Sequence, residues 1–334
     1  MGTAKDLLRQ FLYQAGLFGL WHRLRNRRTL TVLMFHRVLP SGSTAYRHAD
    51  REFTFTQEGF AKCLDFIARH YNVVRQAQID CWIERGERLP DRALLITFDD
   101  GWKDTLSFAA PELAKRRMPA LLFLATEVID LTARRWWQDA LVEISQQAGG
   151  TERVEEIAEL ANSDDLTTGA RAQRLAGHYA MLADDQRWRL LGHQVVRDED
   201  RQMLSRNDLK EFPRDFSIAG HGHTHGPLAW IADPAEDLAR CRKALTDIGG
   251  LDHVMSFPHG SWDKVSASTA ANLGFRVCYS SVPTLSKTVG TREKSSTEPI
   301  GRIHVPENIW TCHQGQVSDA KLARFLFFRP VSIQ

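Results

Sequence analysis

Three short runs of this 334-residue sequence bring together residue types that can do chemistry. The first is TFDDG (97–101), which ends the apolar run ALLITF (93–98). Functional side chains of parallel α/β proteins collect at the carboxyl ends of strands. Neighbouring side chains of an extended chain point to opposite faces. Asp99 and Asp100 can therefore take different partners, one ligating a cation while the other stays free as a base. Taken alone, the pair also fits a phosphotransferase, a nucleotidase or a plain acidic turn. The second run is GHGHTHG (220–226). His221 and His225 are four residues apart, one helical turn, so both imidazoles can reach one cation. Gly222 stands where a zinc protease helix needs glutamate, which removes that reading. His223 is expected behind the ligands or in solvent. The third run is SFPHGSWD (256–263), where Pro258 fixes the backbone and Gly260 lets it approach a ligand closely.

The elements that must position these runs alternate. LTVLMF (30–35), ALLITF (93–98) and PALLFLATEVI (119–129) read as strands. Between them, 57–71 and 106–117 carry helical spacing. From about 134 to 210 the chain is rich in Ala, Glu, Gln, Arg and Leu and reads as a helical insertion. Alternation resumes with a strand at 216–221 and a helix over 233–250, capped by Asp233 and Gly249. Short strands follow at 253–258, 274–281 and 300–305, with an irregular polar loop over 284–299. This is the β-α-β-α order of a parallel sheet or barrel.

Composition excludes several classes. Lys+Arg 43 against Asp+Glu 41 leaves a formal +2, too balanced for a uniform field toward nucleic acid. The five cysteines form no CxxC pair, so a zinc ribbon or dense disulfide framework is out. No apolar run reaches the ~18 residues of a spanning helix. Residues 1–28 hold six Lys/Arg and one Asp, a local +5. Leu8, Phe11, Leu12, Ala15 and Phe18 fall near one helical face there. The segment either docks on the protein's own core, the favoured reading, or lies on an anionic membrane. It has no cleavable signal pattern, so the expected location is cytoplasmic, or peripheral to an inner membrane.

In this order, TFDDG, H-x-x-x-H and the aromatic-Pro-x-Gly loop resemble the polysaccharide deacetylase family with its NodB homology domain, the carbohydrate esterase family 4 type. LMFHRV (33–38), the segment 60–74, PALLFLAT (119–126), GFRVCYSS (274–281) and GRIHV (301–305) extend the resemblance over roughly 30–130 and 205–310. It implies a distorted (β/α) barrel over 29–334, interrupted by the helical insertion. It also implies a hydrolase that removes N-acetyl groups from a glycan or glycolipid-linked saccharide in bacterial envelope or polysaccharide biosynthesis. Asp100, His221 and His225 would bind a divalent metal, most often Zn2+, and Asp99 would be the general base. The loop at 258–261 would supply an oxyanion N–H. The family's Arg is missing from the third motif, and Arg302 is the candidate to supply that charge to Asp99. His304 matches the late acid histidine loosely, with His36 and His259 as competitors. Trp102 and Trp262 are candidates for sugar contact, as are Trp136, Trp137 and Trp188, though packing of the insertion's own core is favoured for these three. The alternatives are hydrolysis of another non-peptide C–N bond (a cyclic imide or ureide) and a glycan-binding protein without catalysis. A two-His, one-carboxylate iron oxygenase is disfavoured by its usual ligand order.

Overall fold

A computed structural model describes residues 4–130, 136, 201–288, 298–311 and 318–328. Its centre is a nine-stranded sheet. β1 (Thr29–Phe35), β4 (Asn72–Val73), β5 (Ala93–Phe98), β6 (Ala120–Leu124), β7 (Phe216–Gly220), β8 (Leu251–Ser256), β9 (Val277–Tyr279), β10 (Ser286–Lys287) and β11 (Ile303–His304) make up this sheet. The path runs β10-β1-β5-β6-β7-β8-β9, with β4 beside β5 and β11 beside β1. Every pairing is parallel except β1–β10. A separate parallel pair joins β2 (Arg37–Leu39) to β3 (Thr54–Thr56).

The sheet curls into a distorted barrel. Tyr279 of β9 bridges Ile300, and β11 then pairs with β1 on the far edge. The segment 300–304 therefore closes the ring. Buried strands split their side chains between two clusters, as period-2 alternation requires. Leu30, Val32, Leu95, Leu121, Phe123, Val254 and Tyr279 fill the inside. Leu33, Phe35, Ile96, Phe98, Leu122 and Leu124 face the outer layer.

The helices are α1 (Ala4–Gln14), α2 (Leu17–Arg25), α3 (Thr44–His48), α4 (Gln57–His70), α5 (Gln76–Arg85), α6 (Ala110–Lys115), α7 (Pro234–Ile248), α8 (Lys264–Asn272) and α9 (Asp319–Phe328). α4 supplies Phe60, Leu64, Phe66 and Ile67 to the outer cluster. α5 contributes Ile79 and Trp82 to the inner one.

Several expectations are corrected. The amino-terminal segment is two helices, broken at Gly16 with φ +76. Leu12 and Phe18 pack inward, whereas Leu8 and Phe11 are exposed, so the five residues do not share one face. The helix over 106–117 begins as a π turn, Thr105–Ala109, before α6. The polar loop carries β10, which pairs with β1. Most of the helical insertion lies outside the described residues, together with Trp137 and Trp188. Its end is described: Leu204 N–H donates to Gly101 O at 2.9 Å, and Met203 bridges Trp102.

Candidate active site

Ala93 and Leu95 belong to the inner cluster, and the same parity carries Thr97 and Asp99 inward. Arg302 meets Asp99 there from the closing segment. Its two terminal nitrogens donate to Asp99 Oδ1 at 2.6 Å and Oδ2 at 2.8 Å. Nε donates to Ser280 O at 3.1 Å, and the guanidinium lies 5.0 Å from the Phe123 ring centre. Burial pushes the Asp99 pKa up, but the Arg302 charge, then His221, more than offset it and hold the carboxyl below its usual range.

Asp100 leaves the strand with φ +79. Gly101 follows at φ +106, and a side chain there would strike Leu124 Cδ1 at 2.5 Å. Only glycine permits that turn. The turn carries Asp100 to the histidines: Oδ1 lies 3.1 Å from His225 Nε2 and 3.7 Å from His221 Nε2. Asp100 Oδ2 accepts from Trp102 Nε1 at 2.9 Å. Burial opposes ionisation of Asp100, and His225 outweighs it, so the net pKa is lowered.

His221 and His225 do not lie on a helix, which corrects the one-turn argument. Residues 221–226 are loop and bend. Gly222 at φ +67 and His225 at φ +59 fold the loop back so that the two rings converge, centres 4.8 Å apart. Asp237 of α7 holds that loop. It accepts from His223 N–H at 2.7 Å, Thr224 N–H at 2.9 Å and Thr224 Oγ1 at 2.6 Å. His221 Nδ1 sits 2.7 Å from Ser256 Oγ and 3.1 Å from Ser256 O, which turns Nε2 toward the carboxylates. Burial pushes the His221 pKa down to about 4, leaving a neutral imidazole as metal ligation requires. His223 turns away, with Nδ1 2.9 Å from Thr126 Oγ1.

One ligand atom each from Asp100, His221 and His225 lies within 4.8 Å of the others, and all three residues are buried. Two inward Nε2 atoms and a carboxylate oxygen form an open three-ligand set. Three of the five non-glycine residues at positive φ among the described residues, Asp100, His225 and His259, fall at this site. Such strain persists where surrounding structure enforces it, commonly at functional sites.

The remaining candidates divide. His36 sits at the rim, its ring 4.8 Å from Phe53 and 5.9 Å from His304. His304 Nε2 lies 3.0 Å from Glu52 O, and burial pushes its pKa down to about 4. His259 is exposed, and its Nε2 lies 3.1 Å from His225 O. Pro258 is buried, and Gly260 has φ +65 with Ser281 Oγ where a side chain would go. The N–H groups of Gly260 and Ser261 donate to Phe257 O and Pro258 O, so the turn itself uses these two.

Trp102 is a correction too. It is 6% exposed, its Nε1 is committed to Asp100, and Arg37 lies over its ring at 3.9 Å. It holds a carboxylate and presents no open face to sugar. Trp262 packs toward Phe257, ring centres 6.2 Å apart. Trp136 is buried at the site between Trp102 and His225, each ring centre 5.3 Å away.

No protein-family model matches the chain, and no curated protein matches it. Solved structures do. A deacetylase from Streptococcus pyogenes, solved in complex with acetate, superposes with TM-score 0.58 at 12% identity, over 89% of this chain and 98% of that one. A polysaccharide deacetylase from Bacillus cereus gives 0.56 at 13% identity, over 89% and 68%. A de-N-acetylase from Aggregatibacter actinomycetemcomitans gives 0.55 at 14% identity, over 84% and 95%. The fold is theirs: a distorted α/β barrel.

Sequence reasoning overlooked Asp237, Ser256 as a support for His221, and Arg37. Asp237 looks like any acid in a helix's first turn. Nothing local marks the loop amides it holds.

Proposed function

We propose that this protein is a divalent-metal-dependent hydrolase that removes N-acetyl groups from an N-acetylated saccharide. The observation that carries it is the division of labour between adjacent carboxylates. Asp100 lies against both imidazoles, while Asp99, one residue away, is gripped by Arg302 and approaches only His221, at 3.7 Å. A site that only bound a cation would not need a second buried carboxylate fixed beside it. The likeness in fold to three deacetylases, one solved with acetate, supports this reading.

Asp100, His221 and His225 would hold the cation, and zinc suits two imidazoles and one carboxylate. Bound there, a divalent cation supplies Lewis acidity toward an amide carbonyl and acidifies water. The chain's own residues do the rest. Arg302 takes one lone pair on each Asp99 oxygen and leaves the second on each for a proton. Asp99 accepts a proton from the attacking water. It then returns that proton to the departing amine, whose nitrogen gains basicity as the C–N bond breaks. Ser256 and Asp237 keep the imidazoles aimed while this happens.

The setting we assign is bacterial polysaccharide or envelope biosynthesis, with residues 1–28 an appendage to a barrel over 29–334 that is interrupted at about 134–210. The deciding experiment is acetate release from a panel of N-acetylated saccharides, with chelator and after reconstitution with Zn2+. Chelator-sensitive acetate release supports the reading. No release across the panel by metal-loaded protein would sink it and favour a different C–N bond or a binding role.

A further inference from the structure

Exposed apolar side chains concentrate in the amino-terminal hairpin. Among the described residues, eleven large hydrophobic side chains stand exposed, and seven belong to α1 and α2. On α2, Leu17, Leu20, Trp21 and Leu24 recur at i, i+3, i+4 and i+7, the spacing of one helical stripe. Leu24 is 71% exposed. On α1, Leu7, Leu8 and Phe11 are exposed in the same way.

This outer stripe lies off the docking face except at Trp21, whose ring stacks on Phe328 of α9 with centres 5.7 Å apart. α2 docks through Phe18 and His22, which meet Phe328 and Phe327 of α9. α1 docks through Leu12 and Tyr13. A helix that only docks carries polar residues on its outer side; here the outer side is leucine, phenylalanine and tryptophan. The charge is as uneven. The first 28 residues hold six Lys/Arg and one Asp, which leaves 37 basic against 40 acidic side chains, a net −3, for the rest of the chain. Lys5 and Arg23 are exposed on the two helices, and Arg27 and Arg28 follow them.

We infer that the hairpin is a membrane-surface anchor that lies in the plane of an anionic lipid bilayer, with the leucine stripe in the acyl boundary and the basic residues among the headgroups. Apolar insertion and attraction to acidic lipid reinforce one another in such segments. A second copy of the chain is disfavoured as the occupant, because two such faces would bring like charges together. No described helix is long and apolar enough to cross a membrane, which fits a helix lying flat.

The anchor and the candidate active site lie at opposite ends of the strands. α2 runs into the start of β1, and the seven residues of β1 span roughly 20 Å before Phe35, whose carbonyl accepts from Asp99 N–H at 3.0 Å.

The test is sedimentation of the full chain with vesicles of phosphatidylcholine alone or with phosphatidylglycerol added. The chain should pellet with the anionic vesicles and not the neutral ones. Leu20→Glu with Leu24→Glu should weaken the partition by roughly tenfold or more, and Arg23→Gln with Arg28→Gln by a similar factor. All four side chains point away from the packed face, and an unchanged thermal melt verifies each fold; if the glutamate pair unfolds, the glutamine pair carries the test. Failure to pellet with phosphatidylglycerol overturns the inference, as does unchanged binding by the folded variants. Concentration-dependent dimerisation abolished by the glutamate pair, without vesicle binding, overturns it in favour of a second copy.

Discussion

Arg302 grips Asp99 through two parallel hydrogen bonds of 2.6 and 2.8 Å, and neither side chain reaches solvent. The two residues are 203 positions apart, joined because the barrel's closing segment passes the end of β5. Removing one partner of such a pair leaves a buried, uncompensated charge. Arg302→Ala should destabilise the fold by about 3–5 kcal/mol and depress turnover with metal content retained. Arg302→Lys should rescue only part, because an ammonium cannot make the planar two-point contact. Denaturant melts, acetate release and metal analysis read the three effects separately. Unchanged turnover in folded Arg302→Ala would remove Arg302 from the mechanism.

Asp99→Asn keeps the shape and deletes the charge. Turnover should fall by roughly 10²–10⁴-fold, the usual worth of a general base, with stoichiometric metal retained. Asp100→Asn should instead lower metal affinity. If the two variants lose metal equally, the division of roles between the carboxylates is wrong.

Asp237 carries three hydrogen bonds from the loop between the histidines and touches neither carboxylate. Asp237→Ala should weaken metal binding by roughly 10–100-fold, as loss of a ligand's support does. Competition with a chromophoric chelator measures this directly. Asp237→Asn, which retains acceptor capacity at one oxygen, should fall between the two. A wild-type affinity in Asp237→Ala would show that the loop holds itself.

His22 links stability to pH. Its Nδ1 lies 2.9 Å from Asn26 Nδ2 and its Nε2 3.2 Å from His70 O, so the neutral ring accepts at one nitrogen and donates from the other. Burial pushes its pKa down to about 3 from an ordinary 6.5. The unfolded chain therefore binds the proton more readily than the folded one between those values, and stability rises with pH across that window. Acidification from pH 6.5 to 4 should cost on the order of 3 kcal/mol through this residue, and nothing above pH 7. His22→Gln should flatten the slope of melting temperature against pH; an equally steep slope would assign the effect to other buried imidazoles such as His70, pushed down to about 4.

The sequence by itself determined the alternation of strands and helices, because buried parallel strands must be continuous apolar runs and helices must show a 3.6-residue period. It also marked Asp99, Asp100, His221 and His225, since ligating residue types crowded at strand ends are chemically conspicuous. Tertiary structure decided the rest. The four-residue spacing of the histidines looked helical, yet Gly222 and His225 at positive φ make it a loop, and backbone sign is not written in spacing. Trp102 looked like a sugar platform, and only packing under Arg37 showed it to be a support for Asp100. The tie from Asp237 to the histidine loop links residues 13–14 apart, whereas the Arg302–Asp99 pair spans 203 and exists only once the barrel closes. Local pattern records what a residue can do; which residue it meets depends on the sheet's curl, and no short stretch of sequence encodes that.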